Sequence, residues 1–190
     1  QLFFNIAGNT ITQAGTAGTG PAIIALNAND TGSLQGTISG NTLTTTTAVG
    51  TPIDGIVVTN SGSGNNAVII QNNDITINDG FGIFASGRDS GTGRLDVSIL
   101  DNTINVNGTD VANTGIDLRN QGTVGQTVCF QVQNNTISTA PFGNGDIVIE
   151  NSTSGTFLIQ GLGGTFNEPS DFDPDTQTVE IFLSSQQTSV

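Results

Sequence analysis

Five times along the chain an aliphatic residue stands three places before an Asn and another stands two places after it. The phrases read "IAGNTIT" from Ile6, "ISGNTLT" from Ile38, "IQNNDIT" from Ile70, "ILDNTIN" from Ile99 and "VQNNTIS" from Val132. Around each Asn, apolar and polar residues alternate, which is the period of a β-strand. The residues five places before the Asn (Phe4, Gly36, Val68, Val97 and Phe130) extend that alternation. A second strand follows 10–15 residues later, usually opened by Gly: "AIIAL", "GIVVT", "GIFAS", "GIDLR" and "DIVIE". Its inward pairs are expected to be Ile24/Leu26, Ile56/Val58, Ile83/Ala85, Ile116/Leu118 and Ile147/Ile149.

The recurring Asn residues are Asn9, Asn41, Asn73, Asn102 and Asn135, spaced by 32, 32, 29 and 33. Self-similarity at a period near 30 is the signature of a solenoid. One such unit is too small to bury its own apolar side chains. Stacked on a neighbour about 4.8 Å away, each strand pairs in parallel with its counterpart, and like residues form ladders. The Asn is expected at the corner between two strands, in the left-handed backbone region that a sharp bend needs. Its amide carries both a donor and an acceptor, so stacked copies can pass hydrogen bonds along the column.

These phrases resemble the parallel β-helix repeat of pectin-lyase-like proteins. The resemblance implies an all-β, right-handed parallel β-helix of about five to six coils with an internal asparagine ladder. It covers roughly residues 2–166. The expected division is a β-helix over 1–166 and a C-terminal cap or tail over 167–190. The tail breaks the repeat but contains an alternating strand near 178–184, with Val179, Ile181 and Leu183 on one face. It is expected to cap the last coil, or else to add to the open edge of another subunit, head to tail. At the other end the chain begins inside a strand, with Leu2 and Phe4 expected inward. Residue 1 is therefore expected to abut a preceding coil, another subunit or a neighbour. With no initiator Met and no signal-peptide pattern, the chain reads as a mature product or a piece of a longer one.

Charge narrows the partners. The net charge is −13, and the only basic residues are Arg88, Arg94 and Arg119. Without a basic patch to release counterions, nucleic-acid binding is not expected. No stretch approaches the roughly 20 apolar residues of a membrane helix, so no membrane insertion is expected. The single cysteine, Cys129, forms no internal disulfide. It lies between Val128 and Phe130, pointing away from their face, with no base nearby to activate it.

Chemistry has few places to reside. With no His and no Lys, Ser-His-Asp and Cys-His systems, His-ligated metals and Schiff-base chemistry are excluded. On the outward face of the second strand, Asp117, Arg119 and Glu150 are expected to meet on adjacent coils. That cluster is expected to be a surface ion pair, with Arg119 keeping both carboxylates ionised. Its alternative role is catalytic, because a glycoside hydrolase needs two carboxylates across a groove. The acidic stretch "DFDPD" offers Asp171, Asp173 and Asp175 as weak Ca²⁺ ligands, without the spacing of an EF-hand; no cofactor is otherwise expected. "TLTTTT", 42–47, resembles the flat Thr arrays of ice-binding β-solenoids. The stretches "TITQAG", "DITIND", "TINVNG" and "TISTAP" do not repeat it, so that reading is set aside.

The function expected from the sequence is a non-catalytic extracellular module: a rigid β-helix stalk or fibre unit of a bacterial surface or adhesin-like protein, self-associating end to end. Its Asn, Thr and Ser faces suit neutral glycans as ligands, though no Trp or Tyr is present to stack on them. The alternative is a polysaccharide lyase or glycoside hydrolase acting on one sheet face.

Overall fold

The computed structural model describes residues 1–14, 22–29, 31–46, 52–88, 92–108, 113–121, 126–139, 145–151, 156–160 and 179–183. They form seventeen strands: β1 (Leu2–Ala7), β2 (Thr10–Gln13), β3 (Ile24–Ala28), β4 (Leu34–Ser39), β5 (Thr42–Thr45), β6 (Ile56–Asn60), β7 (Asn65–Gln71), β8 (Asp74–Ile77), β9 (Phe81–Gly87), β10 (Arg94–Leu100), β11 (Thr103–Val106), β12 (Thr114–Asn120), β13 (Thr127–Gln133), β14 (Thr136–Thr139), β15 (Gly145–Asn151), β16 (Thr156–Gln160) and β17 (Val179–Leu183). Every third strand pairs in parallel with the last of its kind. The result is a first sheet β1-β4-β7-β10-β13-β16, a second β2-β5-β8-β11-β14 and a third β3-β6-β9-β12-β15-β17. This is a parallel β-solenoid.

The register follows the repeat. Ile6, Ile38, Ile70, Ile99 and Val132 lie over one another in the first sheet. Ile11, Leu43, Ile75, Ile104 and Ile137 do so in the second. In the third sheet the pairs Ile56/Val58, Ile83/Ala85, Ile116/Leu118 and Ile147/Ile149 are all buried. The three columns converge on one core. β-branched side chains suit it because each packs flat on its counterpart one rung away.

The glycines that open β6, β9 and β12 have a steric cause. A side chain on Gly82 would meet the Ile104 Cγ2 methyl and the Gly115 carbonyl; one on Gly115 would meet Ile137 Cγ2 and the Asp146 carbonyl. The second sheet's Ile column thus closes directly onto the backbone of the third.

The Asn column is the polar element of the corner between the first two sheets. Each Asn Nδ2 donates to the Oδ1 of the next at 2.9 Å, from Asn9 through Asn41, Asn73 and Asn102 to Asn135. Each Oδ1 also accepts the backbone N–H of the preceding Asn. Each Nδ2 from Asn41 onward also donates to a carbonyl one rung back, that of Ile6, Ile38, Ile70 or Ile99.

The bend itself falls one residue earlier than expected. The left-handed residues are Gly8, Gly40, Asn72, Asp101 and Asn134, each immediately before a ladder Asn. The preceding residue absorbs the bend with φ of 54° to 67°, which turns the following amide into the column. The ladder residue is chosen for its side chain and not for its backbone.

The ends differ from the interior. Leu2 occupies an inward register position over Leu34 but is 58% exposed, because β1 is the outermost strand and nothing lies above it. Phe4 packs on the core. Its ring covers Gly36, where a side chain would collide with it. At the far end β17 does not depart from the repeat. It pairs in parallel with β15, Val179 over Ile147 and Ile181 over Ile149, as a sixth strand of the third sheet.

Candidate functional site

The outward face of the third sheet brings together the three residues that the sequence placed there. The register sets Asp117 between Phe84 and Val148, and Arg119 between Ser86 and Glu150. Arg119 grips Asp117 with two bonds, Nε to Oδ1 and Nη2 to Oδ2, both 2.6 Å. Its Nη1 reaches Glu150 Oε2 at 3.1 Å. One guanidinium thus bridges carboxylates on two rungs.

This is not the surface ion pair expected from the sequence. Asp117 is fully buried. Burial pushes its carboxyl above the ordinary value, against the pull of Arg119. The expectation that Arg119 governs its ionisation therefore inverts: loss of water outweighs the neighbouring cation. Arg119 in turn is held more firmly protonated, chiefly by its hydrogen bonds to Asp117.

Three further residues complete the site. Phe81 and Phe84 stack with centroids 5.3 Å apart. Arg119 lies 5.8 Å from both rings, and Arg88 lies 5.0 Å over Phe84, close enough for cation–π attraction. Asp54 enters from the segment before β6 and accepts the Phe81 backbone N–H at 2.9 Å. Burial raises its carboxyl as well, and the negative charge of Asp117 adds to the rise. Sequence columns disclosed Phe84, Asp117, Arg119 and Glu150. They missed Asp54 and Arg88, which lie just outside the strands, and Phe81, which opens β9.

Cys129 lies on the outward face of the first sheet, away from Val128 and Phe130 as expected. Arg94 Nη2 donates to its Sγ at 3.1 Å while Arg94 Nε engages Asp96. Burial pushes the thiol up, away from the thiolate that reacts. Asp171, Asp173 and Asp175 lie outside the described residues. Among the described residues no group of three acidic or Cys side chains gathers to hold a metal, and no helix is long and apolar enough to cross a membrane.

The second sheet presents a different surface. Its first outward column is Thr10, Thr42, Asp74, Thr103 and Thr136, every one exposed. Its second is Thr12, Thr44, Thr76, Asn105 and Ser138. The Thr array that the sequence set aside is therefore present in register, on alternate residues instead of in runs.

No family model, curated protein or solved structure matches this chain.

Proposed function

We propose that the chain is a non-catalytic, extracellular structural module, a rigid stalk or fibre unit of a bacterial surface or adhesin-like protein that associates end to end. Kinship with right-handed pectin-lyase-like β-helices belongs to the same reading and rests on the fivefold Asn phrase. The observation that carries the proposal is the state of Asp117. The only acid paired across rungs on the third sheet is fully buried, with both oxygens held by Arg119. A carboxylate so placed fastens the face to itself and leaves no room for a glycosidic oxygen.

The test is incubation with a panel of plant and bacterial polysaccharides, with and without Ca²⁺. The expected result is no turnover, while Asp117→Asn lowers the melting temperature. Turnover that Asp117→Asn abolishes overturns the proposal. End-to-end association is tested by light scattering and electron microscopy at rising concentration; monomers throughout refute that part.

A second reading has one observation in its favour. Asp54 and Asp117 both carry raised carboxyls beside Arg88, Arg119 and an aromatic pair. Acids poised above the ordinary range are what a polysaccharide lyase or glycoside hydrolase uses. The same assay decides between the two.

A further inference from the structure

The second sheet's outward face carries two straight columns of short side chains over five rungs, seven of the ten being Thr. We infer that this face adsorbs to ice, the crystalline lattice of water. The inference stands apart from the structural reading above and does not rest on it.

The geometry supplies a grid. Rungs repeat about every 4.8 Å, and alternate residues along one strand lie about 6.6 Å apart. Each Thr places a methyl and a hydroxyl at a grid point, and the hydroxyl both donates and accepts. Thr is stiff about its first side-chain torsion, and the parallel ladders beneath fix the backbone. Little freedom is therefore left to lose on binding. Any single contact to water is weak. A rigid array engages a partner at many points together only if that partner repeats in two directions as the array does.

Charge and composition select among such partners. The chain carries −13, yet nine of these ten positions are uncharged and the exception is Asp74. A neutral face in so acidic a molecule suits a neutral surface. Neither column holds an aromatic ring, so the stacking that favours pyranose rings is missing here. That sets crystalline polysaccharide behind ice. Asp74 interrupts the first column at its centre, where a hydrated charge disturbs the lattice contact.

The experiment is slow growth of ice from a dilute solution of the full chain, with protein measured in the ice and liquid fractions. Thr42→Lys and Thr103→Lys alter exposed positions; Gln131→Lys, on the outward face of the first sheet, is the control. Circular dichroism melts establish that each variant is folded. The wild type and Gln131→Lys are expected to enter the ice, the two Thr variants to fall by about tenfold or more, and Asp74→Thr to enter more readily than wild type. Exclusion of the wild type from ice overturns the inference. So does equal uptake by Thr103→Lys and Gln131→Lys, or retention on crystalline cellulose or chitin in place of ice.

Discussion

A buried amide is tolerable only when all its bonds are made, and Asn73 shows what that requires. Its Oδ1 accepts from the Asn41 backbone and side chain, and its Nδ2 donates to Ile38 and Asn102. Asn73→Ala strands the groups that faced it and is expected to cost about 3 kcal/mol or more. Asn9→Ala, at the exposed end, should cost less than about 1 kcal/mol. Urea midpoints at unchanged slope measure both. Asp54 offers a second test. Its folded carboxyl is raised above the unfolded value of 3.8, so the folded state binds the proton more tightly. Its contribution is present below that value and is lost as pH rises through the raised one. Stability should therefore grow on acidification from pH 7 toward 4, and Asp54→Asn, which still accepts the Phe81 N–H, should flatten that rise. Thermal melts across the range decide it.

Strands and corners show which parts of the fold a sequence makes legible. The Ile columns and the Asn ladder could be read directly, because identical residues recur at one spacing and each occupies the same environment on every rung. The left-handed corner could not: Gly8, Gly40, Asn72, Asp101 and Asn134 share a backbone requirement but not a side chain. The Thr columns were hidden for another reason. Only alternate residues face outward, so Thr10-Ile11-Thr12 and Thr103-Ile104-Asn105 match where the runs around them do not. The candidate site was half legible. Strand positions placed Asp117 and Arg119 correctly, whereas Asp54 arrives from a connection whose path no periodicity encodes. A steric test belongs at this scale. Gly82→Ala forces a methyl against Ile104 and the Gly115 carbonyl and should cost about 2 kcal/mol. Gly32→Ala, with open space around it, should change stability little; paired thermal melts compare them.

Across the whole molecule, each rung is held only by its neighbours, as in any linear stack. Hydrogen exchange should therefore be slowest in β7 and β10, which are paired on both sides, and fastest in β1, whose outer edge is free among the described residues. Equal protection along the axis would contradict a nearest-neighbour stack. Acidic self-repulsion acts on every rung at once, so added salt should raise the melting temperature of this −13 chain. The amide column also has a direction. Every side-chain link in it runs from the amino-terminal side as donor to the carboxy-terminal side as acceptor. The molecule is thereby an arrow with unlike tips, and its first tip shows the oxygen of Asn9. A two-fold-related mate meeting that tip would set oxygen against oxygen; only a rung aligned the same way brings the hydrogen that oxygen can take. Growth from that tip is one-way by construction.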